Sequence, residues 1–133
     1  QTGDNLRSFD QNTGEQADAV PLTLDGDLID IVSCGMARDC TSERLLVANG
    51  LDRSIYSVGT DGELELVRDL SAEITANWNP TGLEYDPVTR TVLLSIGTEL
   101  WRVDINDLTV PAELVGTFED DVSNLQYLPV CMP

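Results

Sequence analysis

The sequence predicts an all-β fold built from a repeated four-stranded unit, and three observations support this prediction. Apolar residues recur in short runs with a period of two, which is typical of strands. Residues 34–39 align with residues 81–86 at an offset of 47 residues. The Asp61-Gly62 pair lies between two such runs and is typical of a tight hairpin turn, because Gly tolerates a positive φ. No helix of useful length is predicted.

The first two strands of the unit carry the clearest repeat. Each first strand has Gly at its second position and Asp at its end, which gives Gly35 and Asp39 in one copy and Gly82 and Asp86 in the next. Each copy then turns and enters an apolar run that ends in Gly, at residues 45–50 and 92–97. The predicted register therefore holds through two consecutive strands.

The third and fourth strands repeat as well, and both ends of the chain carry parts of the same pattern. Third strands are predicted at 55–58 and 100–103, and fourth strands at 64–67 and 112–115. Residues 5–12 align with 99–106 at an offset of 94, twice the repeat. Residues 124–130 align with 82–88 at an offset of 42. The chain is therefore expected to open on a third strand and to close on a first strand.

Four strands in about 45 residues is the spacing of a β-propeller blade. With strands a to d counted from the axis outward, residues 5–30 are predicted to form strands c and d of a partial blade. Residues 33–74 and 80–121 form two full blades, and residues 123–130 form strand a of a further blade. The expected fold is a β-propeller segment of about two and a half four-stranded blades, incomplete alone. A β-sandwich is the competing prediction, but it does not require first strands to recur at blade spacing.

The repeats resemble secreted bacterial propellers of the NHL and gluconolactonase-like superfamily. Strand a at residues 81–87 and strand c at residues 100–104 carry this resemblance, which covers most of the chain. It implies the fold and no particular activity, because such blades serve hydrolases, binding modules and structural proteins alike. Gluconolactonase-like enzymes hold a divalent metal with Glu, Asn and Asp ligands, and Asn77, Asn79 and Glu119 resemble part of such a set. The set is incomplete, so no catalytic role is carried over.

The net charge of the chain limits which kinds of partner are expected. It has 24 acidic and 7 basic residues, which give a formal net charge of −17. A surface of this sign repels nucleic acid phosphates and anionic membranes and attracts cations or basic surfaces. Neither a membrane span of about 18 apolar residues nor a retained signal peptide is visible. We therefore expect no nucleic acid partner and no membrane span. The start at Gln1 rather than Met suggests a processed N-terminus, and we expect a secreted, extracellular or periplasmic location.

The loops that precede strands a and c share one face of a propeller, and here they are rich in carboxylates and amides. Calcium prefers clusters of oxygen ligands, so it is the expected ion, with solvated acidic turns as the alternative. The candidate ligands are Asp25, Asp27, Asp30, Glu119, Asp120 and Asp121. Asn77, Trp78 and Asn79 form a predicted loop that could contact a ligand or partner. The alternative for the Trp78 ring is packing over the edge of a blade.

The chain has three cysteines and no His. This composition argues against a structural zinc site. Cys34 and Cys40 lie at opposite ends of a predicted strand, about 20 Å apart at about 3.3 Å per residue, which is too far for a bridge between them. Cys34, Cys40 and Cys131 are therefore candidates for disulfides to another segment or chain, with free thiols as the alternative.

Function is less defined than fold. The absence of His excludes a Ser-His-Asp triad, and no nucleophile elbow or phosphate-binding glycine loop is present. We expect a non-enzymatic extracellular structural module that acts in assembly, as an oligomer or filament, or in binding, assisted by calcium. Its partners would be further copies of itself or the remainder of a propeller. The alternative is a fragment of a larger metal-dependent propeller hydrolase, lactonase-like or phosphoesterase-like.

Overall fold

The computed structural model describes residues 3–125, and this part of the chain folds into twelve strands without a helix. The all-β prediction is confirmed. The strands are β1 (Asn5–Leu6), β2 (Val20–Pro21), β3 (Thr23–Leu24), β4 (Asp27–Leu28), β5 (Gly35–Asp39), β6 (Arg44–Asn49), β7 (Ser54–Val58), β8 (Glu63–Asp69), β9 (Thr81–Asp86), β10 (Thr91–Ile96), β11 (Glu99–Asp104) and β12 (Glu113–Thr117).

Two antiparallel meanders of four strands each form the body of the molecule. The first meander is β5–β8 and the second meander is β9–β12. Their registers are equivalent, because Gly35 pairs with Ala48 in the first and Gly82 pairs with Ser95 in the second. A β-bulge follows Ile55 in the first meander and Leu100 in the second. The sequence repeat is therefore also a structural repeat, and even the β-bulge lies at the equivalent position in both meanders.

Four aspartates end strands or hairpin arms with the same local hydrogen bonds. Oδ1 of Asp10, Asp39, Asp86 and Asp104 each accepts from the amides two and three residues further on. These turns use the side chain in place of a backbone acceptor, which suits Asp at the start of a tight turn. Asp10 and Asp104 are the residues that the offset of 94 aligns, so the repeat extends into the N-terminal segment at the level of individual contacts.

Acid titration should reveal the contribution of this turn at Asp86. Burial raises the pKa of the Asp86 carboxyl, but hydrogen bonds from Thr89 and Val88 and the charge of Arg102 lower the pKa below 3.8 overall. A lowered native pKa stabilises the fold above the unfolded value, and this stability is lost as the pH falls through the native pKa. We expect Asp86→Asn to lower the free energy of unfolding by about 1 kcal/mol at pH 7, with the difference shrinking below pH 3.8.

Urea denaturation of both proteins between pH 7 and pH 3 measures this difference. Asp18→Asn is the matched control, because it removes the same charge from an exposed carboxylate and so reports the effect of net charge alone. A difference for Asp86→Asn that stayed constant into acid would contradict the assigned role.

The main core lies between the two meanders. Ala37, Leu46 and Ile55 of the first meander pack with Leu83 and Leu94 of the second, and all five are buried. The innermost strands approach each other closely, since a Cβ atom added at Gly35 would lie 2.4 Å from the Leu83 backbone nitrogen. This contact requires the absence of a side chain, because backbone atoms cannot rotate away.

Gly35→Ala should therefore separate the innermost strands and destabilise the fold by about 1–3 kcal/mol, the usual cost of overpacking. Gly116→Ala is the matched control, because a Cβ atom there meets nothing within 4 Å. Thermal unfolding of both variants tests the prediction. A Gly35→Ala variant as stable as the Gly116→Ala variant would contradict the close approach.

The N-terminal segment covers part of the opposite face of the first meander. β1 pairs with β2, and Leu22 packs in a second cluster with Val47, Tyr56 and Leu64. The hairpin of β3 and β4 extends the sheet of the first meander, since β3 pairs parallel with the start of β8. The Glu63 carboxylate accepts from Thr23 Oγ1 and from the Asp25 amide, which fixes β3 against β8.

Candidate functional site

Several loops meet at one end of the two meanders. The Gly50 amide donates to the Val32 carbonyl, and a Cβ atom at Gly50 would lie 2.6 Å from the Trp78 carbonyl. In the second repeat the Gly97 amide donates to the Pro80 carbonyl, and the Val122 amide donates to the Gly97 carbonyl. These contacts bring residues 32, 50, 78–80, 97 and 122 close together at this end.

The candidate calcium ligands are distributed over both ends of the sheets. Asp25 lies beside Glu63 at the start of β8, whereas the Asp30 carbonyl accepts from the Asn49 side chain at the far end of β6. Glu119, Asp120 and Asp121 are exposed residues after β12. Within residues 3–125, no three His, Cys, Asp or Glu side chains form a group that could hold a metal ion. Asp27 lies on β4. Calcium binding stays a prediction.

The predicted contact loop needs a correction at its centre. Trp78 is only 1% exposed, and its Nε1 atom donates to the Ile74 carbonyl at 3.4 Å. The ring therefore belongs to the core between the meanders and is not available to stack on a ligand. Asn77 and Asn79 are exposed on either side of it, so only these two side chains of the loop remain accessible.

The cysteines differ in state. Cys40 is disulfide-bonded and Cys34 is a free, exposed thiol. The two are therefore not joined to each other, in agreement with their separation along β5. Cys131 lies outside the described residues, and a bridge from Cys34 to another chain stays a prediction.

A groove of about 260 Å³ lies beside β1, on the face of the first meander that the N-terminal segment leaves partly open. We call it the β1 groove. Its walls combine the edge of β1 with the innermost strands of the first meander, and they include Asn5, Leu6, Arg7, Cys34, Met36 and Val47. Met36 is 50% exposed there. The groove is smaller than the range of about 300–1,000 Å³ that is typical of ligand pockets, and its floor is apolar.

The outward side of the second meander is a second open surface, which we call the rear face. Side chains alternate along strands, so the residues between those of the core point away from the first meander. Leu93 pairs with Glu84 and Arg102 across the rear face, and Ser95 pairs with Leu100. Residues 122–125 cover one part of it, because Ser95 Oγ donates to the Val122 carbonyl at 2.9 Å. A Cβ atom at Gly82 would lie 3.2 Å from the Asn124 backbone.

Comparison with known proteins gives no relative for this arrangement, since no family model, no curated protein and no solved structure matches the chain. The described residues also include no helix that is long and apolar enough to cross a membrane.

The sequence singled out Cys34 but not the other residues of the β1 groove. Met36 aligns with Leu83, which is 2% exposed because the first meander covers it. Met36 is exposed while its aligned counterpart Leu83 is buried, which indicates that the face carrying Met36 lacks the covering strands that Leu83 has. This signal appears only when the repeat is combined with the packing, so strand periodicity alone could not identify it.

Proposed function

We propose that the chain is a segment of a β-propeller that acts in assembly outside the cell, through faces that further blades complete. In this proposal the first and second meanders are consecutive blades, as in the NHL and gluconolactonase-like propellers that the repeats resemble. The role is structural or binding, and the partner is another copy or the remainder of a propeller. Rings of this kind use about four to eight blades.

The packing of equivalent residues carries this proposal. Leu46, Ala48 and Ile55 are each 0% exposed, because the second meander covers them. Their equivalents on the rear face are Leu93, Ser95 and Leu100, and both leucines are half-buried. A surface that is already used once for packing is thus present a second time, and residues 122–125 lie against part of it. Leu93 and Leu100 are partly uncovered apolar side chains on a face that also carries Glu84 and Arg102, and uncovered apolar area of this kind supports an interaction surface.

The approach of consecutive innermost strands adds support. Gly35 lies against the backbone of Leu83, and Gly82 lies in the same way against the backbone of Asn124. The offset of 42 had aligned Asn124 with Gly82 as the start of another strand a. Two successive contacts of one kind favour a stack of similar layers arranged about an axis.

The disulfide supports the proposed location. Cys40 is disulfide-bonded, and disulfides persist mainly in oxidising compartments such as the periplasm and the extracellular space.

Charge repulsion opposes a stack of acidic layers, because a net charge of −17 per chain makes copies repel each other. Calcium or salt would reduce that repulsion, which is the role we propose for cations here.

Sedimentation velocity of the wild type and of Leu93→Asp tests the assembly. We expect the wild type to form particles of more than one chain, with association increasing between 50 mM and 500 mM NaCl, where the Debye length falls from about 14 Å to about 4 Å. Leu93→Asp places a charge on the rear face and should weaken association at least about tenfold. Leu51→Asp is the matched control, because Leu51 is 63% exposed elsewhere. Equal weakening by both variants would count against the rear face.

A further inference from the structure

The β1 groove presents a strand edge above an apolar floor. β1 pairs with β2 on one side, and in the part of the chain that the structure describes no strand pairs with its other side. β1 contains Asn5 and Leu6, and both line the groove together with Arg7, Met36 and Val47. An unpaired edge offers backbone donors and acceptors in the regular pattern that an extended peptide needs.

The second meander shows what covers the equivalent floor. Leu83, the counterpart of Met36, is buried by β5 and β6 of the first meander, whose residues there are Gly, Ala or aliphatic. Continuing the same packing by one layer would place an inner strand of this composition over Met36. β1 and β2 already occupy the outer positions of that layer, so the space that remains is the inner position beside β1.

We propose that the β1 groove receives an extended β-strand of a polypeptide other than a second copy of this chain, hydrogen-bonded along β1, with small or aliphatic side chains directed onto Met36 and Val47. This proposal rests on the proposed function, since it names the partner of one of the two open faces. The lining of the groove carries one acidic and one basic side chain, Asp4 and Arg7. The net charge of −17 on the whole protein therefore provides the charge argument, and it favours a strand without acidic residues.

Cys34 makes the proposal measurable. It lines the groove as a free, exposed thiol, whereas Cys40 is already disulfide-bonded. A strand in the groove would shield the Cys34 sulfur from small alkylating reagents. The probe is a capped synthetic peptide with the sequence of β6, Arg44–Asn49, because this strand has the required composition and carries one positive charge. A scrambled peptide of the same composition is the control.

The experiment follows iodoacetamide alkylation of Cys34 by intact mass. At a peptide concentration ten times the Kd, the rate should fall about tenfold, because only the unoccupied protein reacts. The scrambled peptide should not change the rate. Met36→Asp should abolish protection, with Met36→Gln as a milder variant if the first one fails to fold. Leu51→Asp should keep full protection.

Three results with the peptides would overturn the proposal. These are the absence of protection at millimolar β6 peptide, equal protection by the scrambled peptide, and protection that survives in folded Met36→Asp. Protection that rises with protein concentration alone, and that the peptide does not increase, would assign the groove to a second copy and also overturn it. Because the assay is run at concentrations where sedimentation gives single chains, its result is independent of the assembly at the rear face.

Discussion

Replacing Trp78 by alanine is expected to lower the free energy of unfolding by about 3–5 kcal/mol, the usual range for the loss of a buried Trp or Phe side chain. The ring is 1% exposed and packs in the core between the two meanders. Alanine would leave a cavity there, and the Ile74 carbonyl would lose the hydrogen bond from the indole. The backbone on either side of Trp78 is held by its own contacts. The surrounding core can therefore move little into the cavity that alanine leaves.

Urea denaturation followed by far-ultraviolet circular dichroism measures this loss without relying on the removed fluorophore. Leu51→Ala is the control, and an exposed position of this kind should change stability by less than about 0.5 kcal/mol. Trp78→Phe keeps most of the ring and provides a folded variant if Trp78→Ala is too unstable to study. A loss below about 1 kcal/mol for Trp78→Ala would show that the ring is not part of the core.

Replacing Arg68 by alanine is expected to cost about 2–4 kcal/mol. Arg68 is 4% exposed and lies in β8 of the first meander. Its guanidinium donates to the carbonyls of Asp104 and Val110 at 2.7 Å and to the Glu73 carboxylate at 2.9 Å. Breaking a buried ion pair by removing one partner costs about 3–5 kcal/mol. Glu73 is 33% exposed, so water can replace part of what it loses and the expected cost is lower.

An exposed ion pair in the same chain provides the control for Arg68. Arg38 and Glu43 are 3.4 Å apart with 64% and 78% of their side chains exposed. Arg38→Ala should therefore cost less than about 1 kcal/mol. Both variants remove one positive charge, so the difference between them in thermal unfolding isolates the buried contacts. Equal destabilisation by the two substitutions would contradict the role of Arg68 as a connection between the meanders.

The strands of the two meanders and their register could be predicted from the sequence, because local residues determine them. Gly35 and Gly82 mark the close approach of innermost strands, and Asp39 and Asp86 form the turns that follow. Each of these features depends on a few neighbouring residues, which the repeat displays twice. Gly62 also adopts the positive φ of 83° that its turn requires.

Features that join distant segments could not be predicted in the same way. The parallel pairing of β3 with β8 depends on Thr23 and Glu63, which are 40 residues apart. Trp78 lies between two polar, exposed asparagines, so its local sequence suggests exposure, whereas its direction is set by the core. The β1 groove is formed by several separate parts of the chain, between Asp4 and Val58. Periodicity describes one segment at a time and contains no information about such neighbours.

The mass of the native particle tests the central claim, that this chain is one part of a larger propeller, most directly. Native mass spectrometry of the protein isolated from its own source, at physiological salt, gives that mass together with the identity of each component. We predict a particle of two or more polypeptides, or a longer polypeptide that contains this sequence. A compact particle of one chain at 14.5 kDa, stable at all concentrations and without a companion, would contradict the claim.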